Sequence, residues 1–248
     1  MAPKQRIIIV TGASQGLGKA VAEALAGPET QLIITAKDAA AIEAVAAGLR
    51  AKEAACEARV FDVTHPDEIR QFVAWVDKTY GRVDILVNNA GWAGPKSPIE
   101  EVSEEDYRRY MATNLDSVFY LMHEVIPIMK RQKSGRIVNI ASRASHRGHG
   151  GLAAYSASKF GVRGLTQAAG WELQGTGASC ISISPAGINT AMRAAIFGND
   201  DSTKQQSPEE VAGFVKQIVD GTLVVPNGGD VSIVRGAVTE VQDPLGSR

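Results

Sequence analysis

Cysteine and histidine are scarce in this sequence. Cys56 and Cys180 are the only two cysteines among 248 residues, and neither belongs to a CxxC pair or a Cys/His cluster. The four histidines are equally scattered. Metal sites and disulfide frameworks need closely spaced ligands or paired cysteines, so we expect no bound metal and two reduced thiols. This cysteine usage leads us to expect a cytoplasmic protein.

Long apolar runs and an excess of either charge are also lacking. The first apolar run, residues 7–10, is too short for a signal peptide or a membrane span, and no later run approaches that length. The 26 lysines and arginines nearly balance the 27 aspartates and glutamates, and they form no basic stripe. We therefore expect neither a membrane nor a nucleic acid as a partner.

The chain does contain short apolar runs that alternate with segments of helical periodicity. Short Val/Ile-rich runs are typical of strands that are covered on both faces of a parallel sheet. No linker or repeat interrupts the alternation, which predicts one doubly wound (Rossmann-type) α/β domain over residues 1–248 with a mostly parallel sheet. Strands are predicted at residues 7–10, 32–35, 58–61, 85–87, 136–140, 179–184 and 231–234, and helices at 18–26, 39–52, 66–80, 103–131 and 154–174.

A glycine-rich turn follows the first predicted strand. Residues 12–18 read Gly-Ala-Ser-Gln-Gly-Leu-Gly, a spacing that differs from the common Gly-x-Gly-x-x-Gly fingerprint. Glycine lets the backbone approach a ligand closely, and the helix behind the turn offers free N–H groups to a phosphate. The position between the first strand and the first helix favours a pyrophosphate-binding turn over a purely structural one.

The end of the second predicted strand bears on which dinucleotide would bind. In doubly wound folds an acidic residue at this edge holds the ribose 2′-hydroxyl of NAD. Ala36 stands where that acid is expected, and Lys37 beside it could neutralise the 2′-phosphate of NADP. Asp38 follows directly, so if the strand ended one residue later, this acid would stand at the critical position and the preference would change to NAD. The sequence favours NADP and leaves NAD open.

Further polar motifs stand where the other predicted strands end. Each is weak alone, but in their order along the chain they and the glycine turn strongly resemble the short-chain dehydrogenase/reductase (SDR) family. The resemblance covers about residues 7–190 and continues more weakly to residue 212. The motifs are Asp62-Val63, Asn88-Asn89-Ala90-Gly91, Asn114, Ser142, Tyr155-x-x-x-Lys159 and Pro-Ala-Gly-Ile-Asn-Thr at residues 185–190.

The resemblance implies an oxidoreductase that transfers a hydride between NAD(P) and a carbonyl or secondary alcohol. It implies that Tyr155 is the acid/base and that Ser142 holds the substrate oxygen. It also implies that Lys159 assists Tyr155, that Asn114 anchors a proton relay, and that residues 191–248 supply a substrate-side loop, a helix and the last strand. The expected cofactor contacts are Gly12, Ser14, Gln15, Gly16, Leu17, Gly18, Lys37, Asp62, Val63, Asn88, Ala90, Gly91, Tyr155, Lys159, Pro185, Gly187, Ile188 and Thr190.

Tyrosine needs help to act as an acid or base near neutral pH, because its unperturbed pKa is about 10. Lys159 follows Tyr155 by four residues, which places both side chains on one face of a helix. A neighbouring ammonium group favours the phenolate form. We therefore expect Lys159 to lower the pKa of Tyr155 toward the range in which general acid/base catalysis is efficient.

Two alternatives to this activity are compatible with the sequence. A catalytically silent nucleotide sensor or scaffold could use the same fold, although the complete catalytic set argues against it. A nucleotide-sugar epimerase or dehydratase is less favoured, because such relatives carry a larger C-terminal lobe and a differently spaced glycine turn. Gln15 also stands where many NADP-dependent relatives carry a basic residue.

Two regions point to partners without identifying them. Loop 143–151 is rich in arginine and histidine, which solvation explains most simply and recognition of an anionic substrate explains alternatively. In the helix predicted at residues 154–174, apolar or small side chains extend nearly all round the axis, which indicates a second buried contact. Gly161 and Gly164 would let a second copy approach, and Phe160 would pack against it. We expect a homo-oligomer, a tetramer in preference to a dimer, that acts on a small molecule.

Overall fold

The computed structural model describes residues 5–244, whose strands form one eight-stranded sheet. In chain order the strands are β1 (Arg6–Thr11), β2 (Thr30–Ala36), β3 (Ala55–Val60), β4 (Ile85–Asn88), β5 (Gly135–Ile140), β6 (Ala178–Pro185), β7 (Asp230–Val234) and β8 (Ala237–Gln242). Their order in the sheet is β3-β2-β1-β4-β5-β6-β7-β8, and all neighbours are parallel except β7 and β8. The predicted doubly wound fold is confirmed.

Helices cover both faces of the sheet. They are α1 (Gly16–Leu25), α2 (Ala39–Arg50), α3 (Pro66–Tyr80), α4 (Glu104–Met111), α5 (Ser117–Gln132), α6 (Ala153–Glu172), α7 (Ala191–Phe197), α8 (Asn199–Ser202) and α9 (Pro208–Asp220). One core lies between the sheet and α1, α2 and α9, and the other between the sheet and α3, α5 and α6. No helix in this part of the chain has the combined length and apolar character that a membrane crossing requires.

The strand order changes direction between β1 and β4, at the middle of the sheet. Ligands of open α/β sheets bind at such a switch point, beyond the carboxyl ends of the strands. The loops that follow β1, β4, β5 and β6 therefore share one edge. This arrangement brings together the motifs that the sequence places after separate strands.

Several elements differ from the sequence prediction, and three of these differences have a clear physical reason. β3 begins at Ala55 rather than residue 58, because this edge strand is only partly buried and lacks a continuous apolar run. The apolar pattern does not predict β8, whose side chains are mostly exposed. The long helix predicted at residues 103–131 is divided by a π-helical segment, Ala112–Asp116, which separates α4 from α5.

Candidate active site

A cavity of about 1520 Å³ opens at the carboxyl ends of the central strands. Gly12 lines it after β1, Asn89 after β4, Ser142 after β5 and Pro185 at the end of β6. This volume exceeds the roughly 300–1,000 Å³ typical of pockets for drug-sized ligands. The cavity therefore has room for a dinucleotide together with a small molecule.

The glycine turn brings its backbone to one end of this cavity. Gly12 has a φ of +64°, and a Cβ on it would stand 2.8 Å from the Cα of Ala90. A Cβ on Gly18 would stand 2.3 Å from the carbonyl oxygen of Gly12. The N-cap residue Gln15 makes no capping hydrogen bond through its side chain, so the first N–H groups of α1 are left for a ligand. The turn can therefore accept a phosphate at close range.

The side chain of Lys37 lines the cavity at the end of β2. Asp38 is occupied elsewhere, because its carboxylate accepts a hydrogen bond from the N–H of Ala41 at 2.9 Å and caps α2. Burial raises the pKa of Asp62, but hydrogen bonds from Thr64 and the charge of Lys37 outweigh it and hold that pKa below its usual value. Lys37 can therefore face a ligand near Asp62, whereas the carboxylate of Asp38 is used to cap α2.

Asn89, rather than the predicted Asn88, faces the cavity after β4. Asn88 is 2% exposed, and its Nδ2 donates to Oδ1 of Asn139 at 2.8 Å inside the sheet. Successive side chains of a strand point to opposite faces, so the next residue turns the other way. Nδ2 of Asn89 donates to the carbonyl oxygen of Gly12 at 3.2 Å. Asn89 therefore ties the glycine turn to the loop after β4.

Tyr155 and Ser142 meet on the cavity wall. Burial raises the pKa of Tyr155, as Tyr110 does to a smaller extent, and a hydrogen bond with Ser142 and the charge of Arg193 offset this only in part. Oγ of Ser142 accepts a hydrogen bond from the N–H of Ala144 at 3.1 Å. Its own hydroxyl hydrogen remains available to Tyr155 or to a substrate oxygen. The pair offers two O–H donors to one substrate oxygen.

Lys159 lies one helical turn beyond Tyr155 and is 5% exposed. Its ammonium group donates to the carbonyl oxygen of Ile140 at 2.7 Å. Burial lowers the pKa of Lys159 to about 8. The charge of Arg193 lowers the pKa of Tyr155, as the smallest of the causes that act on it. The effect that the sequence analysis assigns to Lys159 stays a prediction.

Asn114 lies behind the cavity wall in the π-helical segment and is fully buried. Its Oδ1 accepts a hydrogen bond from the N–H of Trp92 at 2.7 Å, and its Nδ2 donates to the carbonyl oxygen of Trp92 at 2.9 Å. A Cβ on Gly91 would stand 3.3 Å from Oδ1 of Asn114 and 3.8 Å from Nζ of Lys159. Asn114 and Lys159 therefore border the same small space. Such π-helical irregularities often occur at functional sites.

The loop after β6 closes the cavity and carries a cation. Ile188 forms an isolated parallel bridge with Gln206. The hydroxyl of Thr190 accepts a hydrogen bond from the N–H of Arg193 at 3.2 Å and caps α7. The guanidinium group of Arg193 packs on Gly187, where a Cβ would stand 2.7 Å from its Cζ. The side chain of Arg193 is thus directed toward the wall that holds Tyr155.

Most residues predicted from the sequence line this one cavity; Asn88 and Asn114 are buried behind it. Sequence reasoning missed Lys96 and Arg109, which lie far from any strand end, and Arg193, which stands three residues after the Thr190 motif. Within residues 5–244 no group of three His, Cys, Asp or Glu side chains is arranged to hold a metal ion. The predicted residues that line the cavity are Gly12, Ser14, Gln15, Gly16, Leu17, Gly18, Lys37, Asp62, Val63, Ala90, Gly91, Ser142, Tyr155, Lys159, Pro185, Gly187, Ile188 and Thr190.

Known proteins share this sequence pattern and fold. A family model described as short chain dehydrogenase matches residues 6–201. The 3-oxoacyl-(acyl-carrier-protein) reductase of Synechocystis sp. is 34% identical over 217 residues, 85% of this chain and 87% of that protein. The gluconate 5-dehydrogenase of Gluconobacter oxydans is 29% identical over 240 residues, 93% of each protein. The crystal structure of an actinorhodin polyketide ketoreductase with NADPH has a TM-score of 0.85 at 29% identity and covers 94% of this chain and 97% of that one. The chain belongs to the short-chain dehydrogenase family.

Proposed function

We propose that this chain reduces a carbonyl group with NADPH, or oxidises the corresponding secondary alcohol with NADP, and that Tyr155 is the acid/base. The chain is an oxidoreductase of a family whose relatives are named as reductases and dehydrogenases. The observation that carries the proposal is that Tyr155, Ser142 and Lys159 share one cavity with the glycine turn. A sensor or scaffold would have no use for an acid/base group at that position.

The residues at the far end of the cavity fit a dinucleotide phosphate. Gly12 and Gly18 form a cradle that a Cβ would fill. NADP is supported over NAD because Lys37 lines the cavity while Asp38 caps a helix. The actinorhodin ketoreductase, which has the same fold, was solved with NADPH. When the cofactor is bound, its nicotinamide ring supplies or accepts the hydride.

The state of Tyr155 suits an acid in the direction of carbonyl reduction. Burial raises its pKa above the ordinary value of tyrosine, which favours the protonated phenol that can give its proton to the substrate oxygen. Ser142 donates a second hydrogen bond to that oxygen while negative charge develops on it. In the direction of alcohol oxidation, the phenolate must form first.

Lys159 is placed to return a proton to the site. Its pKa of about 8 lets it exchange a proton near physiological pH. The carbonyl oxygen of Ile140 holds its ammonium group at 2.7 Å, beside the space that Asn114 borders. We assign Asn114 the role of a positioning residue, because it fixes the main chain at Trp92 from both sides.

Residues 191–244 are proposed to form the substrate side of the same domain. Arg193 and Phe197 from α7 line the cavity together with Gln205 and Arg235. Of the basic loop at 143–151, Arg143 and His149 line the cavity, whereas Arg147 does not. The substrate is a small molecule with a carbonyl or alcohol group.

A homo-oligomer that uses α6 is proposed as the form in solution. A stripe of exposed apolar or small residues runs along this helix within the described chain, and Gly164 has open space where a Cβ would stand. Gly161, in contrast, packs on Leu115 of its own chain. An identical stripe on a second copy would give a two-fold contact. The stripe consists of Ala157, Phe160, Gly164, Ala168 and Trp171.

The test of the activity is the change in nicotinamide absorbance with a panel of aldehydes, ketones and oxo acids. Oxidation of NADPH by the parent enzyme, and its loss in Tyr155→Phe, would support the proposal. Binding of NADPH without turnover of any substrate would support the sensor instead.

A further inference from the structure

The substrate end of the cavity carries more positive than negative charge. Among the described residues that line the cavity, the carboxylates are Asp62 and Glu105, and Asp62 lies near Lys37 at the cofactor end. The remaining lining cations, apart from Lys37 and Lys159, come from five different segments of the chain. They are Lys96, Arg109, Arg143, Arg193 and Arg235.

Two of these cations contact the same aromatic ring. Cζ of Arg193 and Nζ of Lys96 each lie 4.2 Å from the ring centroid of Phe197. Cation–π contacts hold a charged group in place without neutralising it. The loop after β4 and the helix after β6 are thereby joined at one point, with both charges directed to the cavity.

The charges at this point are only partly balanced. Asp201 binds Arg193, with Oδ1 2.7 Å from Nε and 2.6 Å from Nη2. In the described part of the chain Nη1 of Arg193 has no hydrogen-bond partner, and Lys96 has no ion pair. Asp201 thus balances Arg193, and Lys96 on the same ring has no such carboxylate among the described residues. The remaining donors can accept a further anionic group.

This point lies next to the proposed reaction centre. Nη1 of Arg193 would be 2.7 Å from a Cβ on Gly187, in the loop expected at the nicotinamide. The charge of Arg193 also lowers the pKa of Tyr155, which requires the two side chains to be near each other. An anion held here would therefore lie close to a carbonyl group that is bound at Tyr155.

We propose that Arg193 and Lys96 bind the carboxylate of the substrate, and that the enzyme acts on oxo acids and hydroxy acids. The proposal rests on the proposed function, since it names the substrate class of that same site. Arg193 supplies the charged Nη1 donor that Asp201 leaves, and Lys96 supplies a second charge from another segment of the cavity wall. Asp201 holds Arg193 in position rather than competing for the substrate, because it occupies Nε and Nη2 and leaves Nη1.

The kinetic test compares acids with their neutral esters. We would measure kcat/KM with NADPH for 3-oxobutanoate and 4-oxopentanoate and for their methyl esters. The parent enzyme should prefer the acids. Arg193→Met and Lys96→Met should each lower the acid-to-ester ratio by about tenfold or more, as expected for the loss of a hydrogen bond to a charged group. Lys204→Met is the matched control, because this exposed lysine lies on the same segment outside the cavity.

Equal kcat/KM for acids and esters in the parent enzyme would overturn the proposal. An equal loss on both substrates in Arg193→Met and Lys96→Met would also overturn it, because a structural role predicts that result. Arg193→Lys should recover part of the preference for acids.

A second measurement does not depend on turnover. With NADP present, succinate should raise the melting temperature of the parent protein more than its dimethyl ester does, and both methionine variants should lose this difference. A parent protein without that difference would overturn the proposal even if neutral ketones were reduced. Absence of turnover on every carbonyl compound would instead contradict the proposed function and leave the binding result to decide on the anion site.

Discussion

Nε2 of His146 lies 2.8 Å from Oδ2 of Asp230, although the two residues are 84 positions apart in the chain. Asp230 is 2% exposed at the start of β7, and its Oδ1 accepts a hydrogen bond from the hydroxyl of Ser184 at 2.8 Å. Oγ of Ser145 lies 3.2 Å from that hydroxyl and donates to the carbonyl oxygen of Ser142. One buried carboxylate thus connects the sheet to the loop that carries Ser142.

Asp230→Asn should weaken this connection with little change in size. It removes the charge that faces His146, and we expect a loss of about 1–3 kcal/mol in the free energy of unfolding. The value of kcat should fall more than the affinity for NADPH, because the Ser142 loop is disturbed and the glycine turn is not. Urea unfolding and steady-state kinetics measure both effects. Asp200→Asn, at an exposed position, is the control, and equal stability of the two variants would argue against a structural role for the carboxylate.

Tyr155→Phe should retain the fold and the affinity for NADPH but lose most turnover. Only the ionisable oxygen is removed, and general acid/base groups contribute about 100- to 10,000-fold. Turnover and NADPH fluorescence would be measured together, with Tyr120→Phe, a partly buried tyrosine outside the cavity, as control. Turnover close to that of the parent enzyme would exclude Tyr155 from the mechanism.

Lys159→Met should gain stability relative to the parent protein as the pH falls. Burial lowers the pKa of Lys159 from 10.5 to about 8, so between these values the unfolded chain holds a proton that the folded chain has released. The free energy of unfolding of the parent protein therefore rises with pH across that window. At lower pH the folded protein holds the buried ammonium group in its charged form, which destabilises it most. Methionine does not titrate, so the advantage of the variant is largest below pH 8 and shrinks above it.

Urea unfolding of the parent protein and of Lys159→Met at about pH 7 and about pH 9.5 measures the difference in their free energies of unfolding. One pKa unit corresponds to about 1.4 kcal/mol. We expect the stability difference to change by roughly 1–2 kcal/mol between these conditions. Lys130→Met, at an exposed position of α5, should show no comparable change. The same small pH dependence in both variants would contradict the lowered pKa. Lys159→Met should also be nearly inactive.

Lys37→Glu should shift the cofactor preference from NADP toward NAD. A carboxylate would then stand where we place the 2′-phosphate, and it could accept a hydrogen bond from a ribose hydroxyl instead. The ratio of kcat/KM for the two cofactors measures the shift. Lys19→Glu makes the same charge change on the exposed side of α1 and should leave the ratio unaltered. A parent enzyme that prefers NAD would show that the interpretation of this edge is wrong.

Phe160→Glu should loosen the proposed oligomer. Phe160 is 43% exposed in the middle of the α6 stripe, and a buried carboxylate without a partner would oppose association. Light scattering at micromolar concentration should give an oligomer for the parent protein and a smaller species for the variant. Val224→Glu changes an apolar residue that is 78% exposed elsewhere and serves as control. A monodisperse monomer for the parent protein would refute the assembly.

The sequence predicted those parts of the fold that have local signals. α3 has its predicted bounds because Pro66 suits the first turn and Gly81 ends the helix with a φ of +68°. β8 carries no such signal, since exposed residues such as Glu240 give an edge strand no apolar pattern. It forms because β7 offers it unpaired backbone groups, and that information lies in the tertiary structure.

The residues of the candidate site also fall into those that the sequence could predict and those that depend on the tertiary structure. Residues at strand ends, such as Ser142, could be predicted because the parallel sheet brings those ends together. Lys96 and Arg193 could not, because they are remote in sequence and come together at the ring of Phe197 in the folded chain. Asn88, which the sequence placed among the cofactor contacts, is buried, and its neighbour Asn89 lines the cavity, because the side chains alternate along the strand.

β8 also determines how this sheet can meet other chains. Because it pairs with β7, the strand that begins at Asp230 is an inner strand and has no open hydrogen-bonding edge. The exposed edge is β8 itself, whose register shifts at Ser232 and Ile233 of its partner. An edge strand with such an irregular register resists the strand addition by which open sheets aggregate. The half of the sheet that supports catalysis is thus shielded against fibril-like growth, and shortening the chain before Ala237 would expose β7 to it.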